Sequence, residues 1–290
     1  ERHIRNMRIA IDRMMSGVDL LDSDPLVLKA FRLANEAMLN TRARDEKIRT
    51  GTASDEQVWY PFQLAFFLLC LKGTADPGHA DRKVLDLLWF PTGGGKTEAY
   101  LAVIAFTIML RRLRFGEQGG GTAVLMRYSM RLLTVQQFER AARLICACEE
   151  LRCINPDLGA QPISIGLYIG EAGSPNRHEG DRGTSAGLQA IKNGNTPETA
   201  NPKQLNRCPW CGTEFKITEA ASDYEILNDG PDSQKTLRIS CNNPDCRFSS
   251  NGESGRLPVL VVDEDIYRDP PTFVVATVDK FAILPRYPER

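Results

Sequence analysis

The chain has 290 residues, 42% of them hydrophobic and 25% charged, enough for one large α/β domain with an insertion or for two modest domains with a core each. Its 36 basic and 37 acidic residues leave a formal net charge of -1, so the overall field neither demands nor excludes a polyanionic partner, and any nucleic-acid contact must come from a local patch. No apolar run, residues 66–71 included, approaches the roughly 20 residues that span a bilayer, and Glu1-Arg2-His3-Ile4-Arg5 has neither an initiating Met nor a signal-peptide pattern. The expectation is a soluble cytoplasmic protein with no membrane contact, read from a piece of a longer chain.

In chain order, residues 1–50 carry apolar positions such as Leu26, Leu28, Phe31, Leu33 and Ala34 at helical spacing, and Asp24-Pro25 supplies a cap followed by a proline at the first helical position. Two or three helices are expected there. Residues 59–72 read as a buried helix entered through Pro61, and residues 73–81 as a linker. The apolar run 84–90 has the length of a buried parallel strand and leads straight into glycines. A helix over 97–114, with Arg111, Arg112 and Arg114 in its last turn, follows. A strand at 123–126, a helix over 132–152 and a strand at 163–169 continue the alternation that implies a parallel sheet. Residues 170–205 are Gly, Ser, Asn, Pro and charge, and read as a long mobile surface loop. Two apolar runs, 257–262 and 272–277, close the pattern.

Phe90-Pro91-Thr92-Gly93-Gly94-Gly95-Lys96-Thr97 sits between the expected strand and helix, where backbone N–H groups and a helix N-terminus converge on phosphate oxygens. Gly93, Gly94 and Gly95 leave that approach open. Lys96 is placed to reach the β and γ phosphates, and the Thr97 hydroxyl to ligate Mg²⁺. This is a P-loop for ATP or another nucleoside triphosphate, with Phe90 where the consensus begins with glycine.

Of the eight cysteines, Cys70, Cys146, Cys148 and Cys153 are scattered among apolar or helical residues. The other four form two knuckles, Cys208-Pro209-Trp210-Cys211 and Cys241-Asn242-Asn243-Pro244-Asp245-Cys246, separated by residues that read as a β-hairpin. Four thiolates complete the tetrahedral shell of a structural Zn²⁺ and leave no position for a catalytic water.

Several segments lie in the order of a known family. Pro91-Thr92-Gly93-Gly94-Gly95-Lys96-Thr97-Glu98-Ala99 resembles motif I of superfamily-two helicases. Phe62-Gln63 resembles their aromatic-plus-glutamine element, which implies that Gln63 reads the adenine edge. Ala123-Val124-Leu125-Met126-Arg127-Tyr128-Ser129-Met130-Arg131-Leu132-Leu133 with Gln136 is similar to motif Ia, with Arg131 at the motif arginine but without the motif proline. Val274-Val275-Ala276-Thr277-Val278-Asp279-Lys280-Phe281 is similar to motif Ib, which implies a nucleic-acid backbone contact through Thr277 and, at a position usually held by Arg, Lys280. With the cysteine insertion and Val262-Asp263-Glu264-Asp265-Ile266-Tyr267-Arg268, the wording from about residue 25 onward resembles the large helicase subunits of the DISARM phage-defence system.

The resemblance implies an α/β fold of the RecA-like P-loop kind, a parallel sheet with helices on both faces. The expected parts are a helical extension (1–58), the first part of the lobe ending in a mobile loop (59–205), a zinc-ribbon insertion (206–256) and a truncated return to the lobe (257–290). It implies an ATP-dependent helicase, hence an ATP hydrolase, using ATP, Mg²⁺ and Zn²⁺, acting on DNA and paired with a protein subunit of a defence complex. Asp263-Glu264 after four apolar residues has the form of an acidic pair that binds Mg²⁺ and polarises water. Ile266 stands where such a motif has Asp or His, and the pair precedes the motif Ib segment, so the alternative is a structural or interaction turn, with motif II expected beyond Arg290. Two other functions stay open: a P-loop ATPase or kinase on small molecules or proteins, and a zinc-ribbon adaptor with a nucleotide switch. For Arg127 and Tyr128 the motif order says less than for Arg131 and Thr277, and they read as solvated strand-end residues.

Overall fold

The computed structural model describes residues 1–52, 58–91, 93–128, 131–230 and 234–283, the side chains of 131–135 and 283 excepted. The chain falls into two units, Glu1–Gly119 with Glu150–Gln161, and Gly120–Glu149 with Pro162–Arg290.

The first unit is helical. It comprises helices α1 (Arg2–Ser23), α2 (Pro25–Thr50), α3 (Pro61–Ala75) and α4 (Lys96–Phe115), with a 3₁₀ turn at Ala80–Lys83 between α3 and α4, another at Gly116–Gly119 after α4, and Pro156–Leu158 added from later in the chain. Asp24 caps α2 as its sequence suggests: Oδ1 accepts from the backbone N–H groups of Leu26 at 2.9 Å and Val27 at 3.1 Å, a contact of the kind that contributes about 1 kcal/mol. Phe67 on α3 is fully buried, stacked on Phe31 of α2 at 4.9 Å and edge-on to Phe106 of α4 at 5.9 Å. Its ring therefore binds three helices together. A core phenylalanine in such a position is worth about 3–5 kcal/mol when truncated to alanine.

The second unit holds the sheet. Strands β1 (Val124–Tyr128), β2 (Ile165–Tyr168), β5 (Val259–Leu260) and β6 (Phe273–Thr277) form one parallel sheet in the order β1-β6-β2-β5. Helix α5 (Arg131–Ile154) follows β1, and α6 (Thr184–Lys192) follows β2. The hairpin β3 (Tyr224–Leu227) with β4 (Thr236–Ile239) precedes β5, and short helices α7 (Asp263–Arg268) and α8 (Val278–Ile283) follow β5 and β6. Helices cover both faces of this α/β sheet. On one face Tyr168, Val274 and Ala276 pack against Ile266 of α7, with Tyr267 and Phe281 beside them. Gly166 keeps that face close, since a Cβ there would lie 2.7 Å from the Pro271 ring and 3.2 Å from Ile266.

Two expectations are corrected. Residues 84–90 join no ladder among the described strands, and Leu85, Leu87 and Trp89 stand 94%, 79% and 87% exposed. An apolar run becomes a strand only where a neighbour satisfies its backbone, and here the segment is an extended strap. Residues 170–205, expected as a mobile loop, contain α6 and buried Ser174, His178, Thr184, Leu188 and Leu205. Their order comes from polar partners rather than apolar mass: Ala200 N–H donates to the Glu171 carbonyl at 2.7 Å and the Gln204 amide to the Gly173 carbonyl at 2.9 Å.

Candidate functional site

The P-loop lies in the helical unit, where α4 begins at Lys96. Gly93 and Gly95 adopt φ of 82° and 84°, the left-handed region that side chains avoid, and a Cβ on Gly94 would meet the Phe90 ring at 2.7 Å. Two glycines of the triplet are thus required by backbone conformation and the middle one by the Phe90 ring. The Phe90 ring stacks on Phe62 with centroids 3.9 Å apart, which explains an aromatic residue at a position the consensus gives to glycine. Lys96 turns back onto its own loop, donating to the carbonyls of Phe90 at 2.6 Å and Pro91 at 2.8 Å. Tyr100 donates to the Thr97 hydroxyl at 3.0 Å. Thr92 lies outside the described residues.

Gln63, 1% exposed, is joined to this loop from α3. Its Nε2 donates to the Gly95 carbonyl at 2.8 Å, and its Oε1 accepts from the Tyr60 N–H at 3.0 Å. The open glycine turn, the ammonium and the hydroxyl at a helix N-terminus together form a cradle that fits a triphosphate and its Mg²⁺.

Cys208, Cys211, Cys241 and Cys246 converge, all four sulfurs lying within 4.8 Å of one another. Cys208 and Cys246 are 3.9 Å apart, and Cys211 and Cys241 3.5 Å. Four sulfurs about 2.3 Å from a tetrahedral Zn²⁺ would be separated by about 3.8 Å, so the donor set fits such an ion. The hydrogen bond between Cys208 and Cys211 pushes the first thiol up and pulls the second down. Trp210 and Phe248 meet edge-on at 5.8 Å inside the insertion, and Arg143 on α5 donates to the Pro209 carbonyl at 3.1 Å. The first knuckle is therefore seated on α5.

At the carboxyl edge of the sheet the parallel register sets Tyr128 opposite Thr277, so segments about 150 residues apart in sequence end side by side. This edge is where open α/β sheets hold ligands. Thr277 is 2% exposed, and its hydroxyl has no hydrogen-bond partner among the described residues. Arg127 is exposed; of Arg131 only the backbone position, at the start of α5, is described.

Lys280, the other residue expected at a nucleic-acid contact, lies inward. It is 9% exposed, its ammonium pairs with Asp263, donates to Asn176 Oδ1 at 3.1 Å and sits 4.6 Å from the centre of the Tyr168 ring. In this arrangement the ammonium is engaged within the protein.

All three carboxylates of the acidic turn have protein partners. Asp263 takes Lys280, Glu264 accepts from the His178 N–H at 2.8 Å, and Asp265 meets His178 Nε2 at 2.8 Å, the Leu237 N–H at 3.1 Å and Arg268. Burial pushes the Asp263 carboxyl up to about 6 despite the pull of Lys280. The turn thereby ties α8, the 170–205 segment and the cysteine-bearing hairpin to one another, a junction that no spacing rule in the sequence announces.

No family model matches the chain. The DISARM protein DrmA of Bacillus paralicheniformis (strain ATCC 9945a / NCIMB 11709 / CD-2) is 37% identical to it over 302 residues, 98% of this chain. The chain is a homologue of DrmA. It spans about a quarter, 26%, of that relative's length. The resemblance to DISARM subunits carried by the P-loop, the cysteine knuckles and the 262–281 wording thus extends along the chain. No helix among the described residues is long and apolar enough to cross a membrane.

Proposed function

We propose that this chain carries the nucleotide-binding part of an ATP-dependent DNA helicase or translocase that acts, with partner subunits, in phage defence. The observation that carries the reading is the loop Gly93–Gly94–Gly95, left-handed at both ends and opening into α4 with Lys96 and Thr97 at its first two positions. Bound there, Mg²⁺-ATP would supply the hydrolysable phosphate. Lys96 would leave its two carbonyls for the β and γ phosphates, Thr97 would hold the metal, and Gln63 would orient the loop and the base. Homology to DrmA supports the defence role.

The strap at 84–90 enters the P-loop as a RecA-like strand would, and, joining no ladder among the described strands, it is open to a strand neighbour in an assembled lobe made from residues 59–205 and 257–290, with 206–256 as a zinc ribbon between them. Thr277 beside Tyr128, and Arg131 just after β1, are the positions from which this reading draws its nucleic-acid contacts. The acidic turn supplies no second reading, because Asp263 and Glu264 are already engaged by Lys280 and by the His178 backbone. A small-molecule ATPase using that pair would have to break both contacts first.

The test is ATP hydrolysis by the full-length protein with and without single-stranded DNA. Stimulation by DNA, lost in Lys96→Ala, is expected. Hydrolysis indifferent to nucleic acid would overturn the helicase reading, and hydrolysis retained in Lys96→Ala would overturn the site.

A further inference from the structure

The strap that delivers the chain to the P-loop is held by neither of the usual means. It has no ladder among the described strands, and the side chains of Leu85, Leu87 and Trp89 point into solvent. Its last residue, Phe90, stacks on Phe62, and its middle is gripped by a residue of the first helix. Arg13 Nη1 and Nη2 donate to the two carboxylate oxygens of Asp86 at 2.6 Å and 2.9 Å, and its Nε donates to Asp81 Oδ2 at 2.7 Å. A planar guanidinium answering one carboxylate with a parallel pair of bonds fixes direction as well as distance. The side chains are half-sheltered, Arg13 at 15% and Asp86 at 24% exposure, where such a fork is less screened than on an open surface.

Arg13 is itself held in place. Gly17, one turn further along the same face of α1, lies so close to α3 that a Cβ would come within 2.3 Å of the Leu68 carbonyl oxygen. Helix α3 is also the helix that carries Gln63. The two packed helices therefore hold both sides of the P-loop: Arg13 anchors the approach through Asp86, Phe62 stacks on Phe90 at the entry, and Gln63 holds the exit through the Gly95 carbonyl.

We propose that Arg13, through Asp86, is a positioning residue for the nucleotide site: α1 and α3 act as a clamp that keeps the P-loop backbone in its phosphate-receiving shape. This rests on the nucleotide-binding reading above. The backbone N–H groups of the loop must converge before they can bind, and a loop released at one end has to be ordered again by the ligand. That cost falls on binding and reduces the competent fraction. The chemical step, once ATP is seated, is untouched.

The experiment is steady-state ATP hydrolysis by the full-length protein at saturating single-stranded DNA, with the thermal midpoint recorded for each variant. Arg13→Gln is expected to raise KM for ATP about tenfold and leave kcat within about twofold, a misplacement effect of the ground state. Asp86→Asn should reproduce it, Arg13→Lys should fall between, and the double variant should cost no more than either single one, because all remove the same contact. Should Arg13→Gln fail to fold, Asp86→Asn carries the test alone. An unchanged KM in a folded Asp86→Asn protein, or a fall in kcat with KM unchanged, overturns the clamp. If the unaltered protein binds no ATP at all, the nucleotide-binding reading falls, whereas normal wild-type binding with indifferent variants removes only the clamp.

Discussion

Asp263 shows how burial decides what a carboxylate does. Its sequence context, four apolar residues and then Asp-Glu, is that of a metal-binding acid, yet the carboxyl is 2% exposed and paired with Lys280. Removal from water outweighs that partner and raises it to about 6. A carboxyl whose folded value lies above its unfolded value of about 4 favours folding fully below pH 4, and the contribution is lost as pH climbs through about 6. The chain should therefore lose up to roughly 3 kcal/mol between these limits, and Asp263→Asn should lack that slope. Urea midpoints of the two proteins at intervals from pH 4 to 7 will diverge if this is right, and run parallel if Asp263 does not titrate in that window. The sequence announced Lys96, Thr97 and the glycines because their chemistry is local. It was silent on Arg13 and on the partners of Asp263, because those contacts close over 73 and 17 residues respectively, beyond any spacing rule.

Among the elements, the cysteine-bearing hairpin was the most legible. Two knuckles and a turn-bounded pair of strands need only one another, and the structure brings the four sulfurs together with β3 and β4 between them. With a metal at its centre, the module's small core, Trp210, Phe215, Tyr224 and Phe248 among it, is ordered together with the ion. Stripping the full-length protein with a chelator should release the metal, and hydrogen exchange should then rise sharply over 206–250. ATP binding should persist, because the P-loop belongs to the helical unit. Equal loss of both would show that the insertion is not a separate folding element. Helix α2 was equally readable, from an Asp-Pro start that caps in the expected way. The strap at 84–90 and the 170–205 segment differ from expectation for opposite reasons: one has strand composition but no described strand neighbour, and the other has loop composition but many backbone hydrogen bonds.

At the scale of the whole molecule, alternation of strand and helix correctly implied a parallel sheet, and the order β1-β6-β2-β5 interleaves segments from both ends of the second unit. That order could not be read beforehand. A strand chooses its neighbour by tertiary packing, and β6 enters between β1 and β2 only after the insertion has been bridged. The division into units was hidden for the same reason: residues 150–161 join the first unit although they continue the helix that starts in the second. One exposed side chain gives this scale an optical readout. Trp89 stands 87% in water on the strap that leads to the P-loop, so its indole emission is red-shifted while the strap is open and turns blue when another strand or domain covers it. In the full-length protein, a blue-shifted component that disappears in Trp89→Phe is the expected sign that the strap has been taken into a completed sheet. A component that stays red would mean that the approach to the nucleotide site remains open to solvent even in the finished protein.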